Sequence, residues 1–265
     1  MITLSELAIY PIKSTAQISL SSSQMGPFGL EMDRRWMLID EKGFMLTQRK
    51  HPRMCLIESH LNNTQLTVSA TGMQSLHIMP PHSDNTIKAT VWEDTCTSYD
   101  AGNTAAEWFT TFLKTPARLV YFPANEVRQV DLDYAQKGDI TAFSDGFPYL
   151  LISQASLDDL NSRLNSAVEM KRFRPNIVVK GSKPFAEDNW KQIRIGDIVF
   201  NLVKACSRCI IPSINPDTAE KTADVLKALA AYRMRENKIY FGQNLIAEGT
   251  GKLEVGMEVE VISTY

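Results

Sequence analysis

Short apolar runs separated by turn residues dominate the first 100 positions and read as strands. Trp36–Ile39 and 44–47 flank Asp40-Glu-Lys-Gly43, a loop in which glycine supplies a turn position, so a hairpin is predicted. Runs at 54–57, 66–70, 76–78 and 87–92 continue the series, punctuated by Asn62-Asn63, Thr71-Gly72 and Pro80-Pro81. The period then changes. Ala105, Trp108, Phe109, Phe112 and Leu113 recur at helical spacing, with Asn103 or Thr104 as the predicted cap. A boundary near Thr115-Pro116 divides the chain into 1–118 and 119–265.

The second part opens with a strand at 119–122 and a polar stretch over 126–139. A helix is predicted from Ser153 through Leu157, Leu160 and Leu164, with Asp158 and Asp159 in its first turns, at the positive end of the helix dipole. Strands follow at 176–179, 193–195 and 198–204, then a helix over 220–232 rich in Ala, Leu and Lys. Two closing strands, 240–247 and 255–263, carry Gly242, Gly249, Gly251 and Gly256 at bends. Many strands and few helices predict an α+β, mostly β, fold built on a barrel or sandwich.

At 265 residues the chain is long enough for one large domain or two ordinary ones. A net charge of −2 offers no reason to expect a nucleic-acid polymer or an anionic membrane as partner. Residues 1–7 show no basic leader before an apolar run, and no stretch of 18 apolar residues occurs, so neither a signal peptide nor a spanning helix is expected. Four cysteines are too few for a disulfide scaffold, and a reducing cytoplasm is the expected setting. All four histidines (51, 60, 77, 82) fall in the first third. Chemistry in the remainder must therefore use Cys, Asp, Asn, Arg and a cofactor rather than a His-based triad or metal site.

The sharpest chemical feature is Cys206-Ser-Arg-Cys209, followed by Pro212, Asn215 and Pro216. A structural zinc would need four ligands, and no second pair lies nearby in sequence. A thioredoxin-type pair would open a helix, which is absent here. One thiolate beside Arg208 at a strand-to-loop junction, or two structural thiols, both remain open. Lys13, Ser14 and Arg34 near strand ends could bind phosphate or be surface charge. Arg174 and Asn176 in Phe-Arg-Pro-Asn offer hydrogen-bonding groups or a cap. Asp145 in Ser-Asp-Gly-Phe-Pro could move protons or merely form a turn.

Taken in order, Tyr10-Pro-Ile-Lys-Ser, Asp33-Arg-Arg-Trp, Asp145-Gly-Phe-Pro, Phe173-Arg-Pro-Asn, Cys206-Ser-Arg-Cys and Phe241-Gly-Gln-Asn resemble the MOSC family (molybdenum cofactor sulfurase C-terminal domain). The closer resemblance is to its branch containing the mitochondrial amidoxime reducing component and bacterial relatives. It implies a MOSC-type β-barrel domain behind a smaller β-rich N-terminal domain. It further implies a molybdenum cofactor (molybdopterin), with Cys209 as the metal's thiolate ligand. Lys13, Ser14 and Arg34 match positions holding the pterin phosphate and neighbouring groups, Arg174 and Asn176 match further pterin contacts, and Asp145 would support the metal site or donate a proton.

The implied activity is reduction of N-hydroxylated small molecules to amines. With no ferredoxin-type cysteine spacing in the chain, electrons would come from a separate ferredoxin- or flavoprotein-like donor. A persulfide carrier and a non-catalytic cofactor-binding module are the alternatives. A pyridoxal phosphate role, associated with the wider family, finds no lysine in a Schiff-base context. The chain departs from the family at Asn215, where an acidic residue is common, at Ala219, where glycine is common, and at Pro212, often a hydroxyl residue.

Overall fold

The computed structural model describes residues 1–82 and 85–265. Seven strands close into a barrel in the order Tyr149–Ser153, Ile177–Lys180, Ile2–Ile9, Glu258–Thr264, Trp190–Ile195, Ile198–Ser207 and Lys238–Glu248, which returns to Tyr149–Ser153. Closure leaves these strands no free edge to template association. Only Tyr149–Ser153 and Ile177–Lys180 run parallel, joined by a crossover through the helix Gln154–Asn161. The interior is filled by Leu4, Leu7, Leu151, Ile177, Ile193, Phe200 and Leu245, all at most 1 % exposed. Ile2–Ile9 thus belongs to a barrel made otherwise from the second half of the chain.

Beside the barrel stands an antiparallel sheet in the order Trp36–Ile39, Arg118–Tyr121, Asp94–Asp100, Thr86–Val91. Its two faces are both buried. Trp36, Leu38 and Leu119 pack with Trp108, Phe109 and Phe112 of the helix Asn103–Leu113, and Met37, Val120 and Phe122 pack with Phe28 and Phe143. A meander of Glu58–Asn62, Gln65–Ser69 and Leu76–Ile78 flanks the helix side.

Several local expectations change. Residues 54–57 are not a strand: Pro52–Leu56 form a 3₁₀ turn, since Pro52 fixes φ and suits a first helical position. The partner of Trp36–Ile39 in the predicted hairpin shrinks to single bridges, Ile39 with Met45 and Phe44 with Thr90, because the chain passes on to another strand. Neither Asn103 nor Thr104 caps its helix; Gly102 precedes it, and the Asn103 side chain accepts from Arg118 Nη2 at 3.0 Å.

Ser153 does cap the next helix, accepting from Ser156 N–H at 3.1 Å. That helix stops at Asn161, short of Leu164, because the Asn161 amide bonds both N–H and C=O of Val168 and seals a loop. The last helix starts at Asp224 rather than 220, since Lys221 bridges Ile214 and Thr222 N–H bonds Ser213 O, which keeps that stretch extended.

Candidate active site

A cleft of about 120 Å³ opens between the barrel and the four-stranded sheet. All seven residues singled out from the sequence line it: Lys13, Ser14, Arg34, Asp145, Arg174, Asn176 and Cys209. The sequence reading missed Arg49 and Trp92, which also line it. Arg49 sits in a turn and Trp92 at a hairpin tip, and neither carries a local motif.

The Cys-x-x-Cys segment is aimed by a β-bulge. Ile198–Ser207 pairs Ala205 with Gln243 and Ser207 with Tyr240, so Cys206 alone stands opposite both Phe241 and Gly242. Gly242 takes φ 87°, a left-handed conformation suited to glycine, and the extra residue bends the strand. The chain leaves the sheet at Arg208, whose N–H bonds Ile239 O at 2.7 Å, and Cys209 follows, half-buried and free. The Arg208 side chain folds back, donating from Nη1 to Cys206 Sγ at 3.1 Å and from Nη2 to Phe173 O at 2.6 Å. Cys55 and Cys96 are buried elsewhere, Cys55 against Asn215 O and Cys96 inside the four-stranded sheet.

The opposite wall is cationic. Burial pulls the Lys13 ammonium down to about 8, against the attraction of Asp145. Its Nζ donates to Phe143 O at 2.8 Å and Asp145 Oδ1 at 2.5 Å. Burial raises the Asp145 carboxyl, but Lys13, with Arg49 and Arg34 beyond, outweighs it and holds the pKa well below the usual carboxylate range. With 65 % of its side chain exposed, Asp145 is solvated enough that ionisation is the expected state on that ground too. Arg34 donates to Asp33 Oδ2 at 2.6 Å and Asn176 Oδ1 at 3.1 Å, and Asn176 also accepts from Leu150 N–H and donates to Ala8 O. Burial pulls Arg174 down to about 10, which leaves it cationic at neutral pH.

Tyr10 organises this wall, a role its motif did not disclose. The guanidinium carbons of Arg34 and Arg174 lie 4.4 and 4.0 Å from its ring centroid, and its hydroxyl donates to Pro175 O at 3.1 Å. Cation–π contacts of this desolvated kind offset part of the repulsion between two arginines. Three buried N–H-bearing atoms of the cleft have no partner among the described residues: Arg49 Nε, Arg174 Nη2 and Arg208 Nε. A buried donor that no ligand or water reaches costs on the order of 1–3 kcal/mol.

Two family profiles match the chain, the MOSC N-terminal beta barrel domain over residues 1–116 and the MOSC domain over residues 139–260. The chain is 37 % identical to mitochondrial amidoxime-reducing component 1 of Homo sapiens, over 98 % of this chain and 83 % of that protein. The Mus musculus counterpart is 36 % identical over 98 % and 82 %. Mitochondrial amidoxime reducing component 2 of Homo sapiens is 35 % identical over 96 % and 82 %. With both profiles matched and relatives above 30 % identity along nearly its whole length, the chain belongs to the MOSC family and is similar, within it, to the amidoxime-reducing components.

Proposed function

We propose that the cleft holds a molybdenum–pterin cofactor and that the protein reduces N-hydroxylated compounds to the parent nitrogen bases, hydroxylaminopurines to amines and amidoximes to amidines. One observation carries this reading: a free, half-buried thiol at Cys209 lines the same cleft as three half-buried arginines, Arg49, Arg174 and Arg208, each with one unpartnered N–H-bearing nitrogen. The names of the relatives, which specify amidoxime reduction, support the substrate class.

The residues fit such a group. Cys209 would ligate molybdenum as a soft thiolate. Lys13, Ser14 and Arg34 would hold the pterin phosphate and its neighbours, and Arg174, which also lines the cleft, would add a further pterin contact. Asn176 is mostly committed to the scaffold, so its part is chiefly to fix Arg34. When bound, the cofactor supplies the two-electron reduction.

The balance is one N–O bond broken, with two electrons and two protons taken up and water released. Electrons would come from a separate ferredoxin- or flavoprotein-like donor. Asp145, expected from the sequence as support or proton donor, has its carboxyl lowered by Lys13, and in its ionised form it would support the site as an acceptor. Its Oδ1 is engaged by Lys13 and Trp92, which leaves Oδ2 to orient a substrate N–H or O–H. The Lys13 ammonium behind it is the proton-bearing group of the pair. Among the described residues no helix is long and apolar enough to cross a membrane. A cytoplasmic setting, which keeps the four thiols reduced, suits this chemistry.

Metal and pterin analysis of protein from a cofactor-competent host tests the reading. Wild type should carry near-stoichiometric molybdenum and pterin, and Cys209→Ala should lose the metal while keeping its far-ultraviolet circular dichroism. An active Cys209→Ala enzyme, or well-folded wild type without molybdenum, would sink it. The free, half-buried Cys209 thiol next to Arg208 also suits a persulfide carrier as second reading, which expects a one-sulfur mass gain on Cys209 without metal. Cofactor bound without turnover would instead mark a binding module.

A further inference from the structure

Trp92 stands at the tip of the hairpin joining Thr86–Val91 and Asp94–Asp100. Its backbone is left-handed, φ 57°, which is costly for a bulky aromatic and is the kind of strain that surrounding structure must impose. At 39 % exposure its indole also forgoes much of the burial such a side chain usually gains.

Two contacts hold it over the cleft. Nε1–H donates to Asp145 Oδ1 at 3.2 Å, and the Arg49 guanidinium carbon lies 4.3 Å from the ring centroid. The turn itself is clamped to the segment carrying Asp145. Buried Arg128 donates to Asp94 Oδ2 at 2.7 Å on the hairpin, and to Ala142 O at 2.9 Å and Ser144 O at 2.7 Å just before Asp145. The indole is therefore tied by its edge to the carboxylate that would orient substrate, while its ring lines the opening that Cys209 also lines.

We propose that Trp92 is an aromatic platform that selects planar heteroaromatic N-hydroxylated substrates over acyclic ones. The proposal rests on the reading of the cleft as an N-hydroxy reductase site. A flat ring stacked on the indole meets a surface already backed by the Arg49 cation, whereas an acyclic substrate such as acetamidoxime presents only a small planar group to stack. The shared anchor at Asp145 fixes the register, so a stacked ring carries its N-hydroxyl group to the free carboxylate oxygen.

The test compares wild-type holoenzyme with Trp92→Ala and Trp92→Phe on 6-hydroxylaminopurine and acetamidoxime. In Trp92→Ala the ratio of kcat/KM for the purine over the acyclic compound should fall about tenfold, mostly through KM, and Trp92→Phe should keep most of it. An unchanged ratio in Trp92→Ala overturns the platform. So does an equal loss in Trp92→Phe, which would place the role of the indole in its hydrogen bond to Asp145.

Calorimetric titration of the same two compounds separates this proposal from the activity beneath it. If wild type turns over neither compound, the reductase reading fails. The platform is then still supported if Trp92→Ala weakens purine binding more than acetamidoxime binding. Equal weakening, or no purine binding to wild type, overturns it.

Discussion

Ser14, Arg34 and Arg174 hold left-handed backbone at φ 72°, 47° and 59°. None is a glycine, and each such position costs on the order of 1–2 kcal/mol. Three strained residues in one cationic cleft show how their side chains are thrown inward from chain segments that could relax elsewhere. This conformation could not be read from residue type, although the residues themselves could be ordered into motifs. Ala219, where the family commonly has glycine, is also left-handed at φ 62°, with its N–H bonded to Asn215 O at 2.8 Å. The departure keeps the turn and bears its strain. Ala219→Gly should therefore raise stability by up to about 1 kcal/mol, net of the entropy glycine adds to the unfolded chain. Urea denaturation monitored by fluorescence will read the gain, and a loss would mean the alanine methyl packs better than its strained backbone implies.

At the scale of elements, the bulge at Phe241-Gly242 is what turns the end of Ile198–Ser207 toward the cleft. A Cβ at Gly242 would stand 2.7 Å from Ile152 Cγ1 and 2.8 Å from Leu151 O, on top of a φ that side chains disfavour. Gly242→Ala should destabilise the protein by roughly 1–3 kcal/mol, seen as a lower urea midpoint at unchanged slope. A neutral effect would show that the two strands can part without loss. Apolar strands such as Trp36–Ile39 and Ile177–Lys180 were legible because burial on both faces demands continuous hydrophobic runs, whereas Tyr149–Ser153, equally apolar, was passed over beside the helix it leads into. Asp94–Asp100 and Glu58–Asn62 were not, since their sequences, DTCTSYD and ESHLN, bury few side chains and owe their form to paired neighbours. Arg49 and Trp92 were hidden for the same reason, because tertiary pairing alone brings their turns to the cleft.

Across the whole molecule, a net charge of −2 concealed a cleft with Lys13, Arg34, Arg49, Arg174 and Arg208 around it. The sum of charges says nothing of their distribution. That distribution sets a pH response. Lys13 falls to about 8 through burial, so its positive charge is complete near neutrality and lost as pH rises through that value. Arg174, lowered only to about 10, keeps its charge across the same window. Sulfate, whose own charge is constant there, should bind the cofactor-free protein more weakly at pH 9 than at pH 7, and Lys13→Gln should flatten the difference. A flat wild-type titration would place Lys13 outside the anion site.

The pairing of Ile2–Ile9 with both Ile177–Lys180 and Glu258–Thr264 constrains vectorial synthesis. Ile2–Ile9 is synthesised before both of its barrel neighbours and has only the short strand Ile18–Leu20 to pair with early on, so one of its long edges stays open until the strand at 258–264 has emerged. Leu4, Leu7 and Ile9 are then exposed to whatever holdase or neighbouring polysome chain meets them first, and the yield of folded protein depends on how quickly elongation delivers the closing strand.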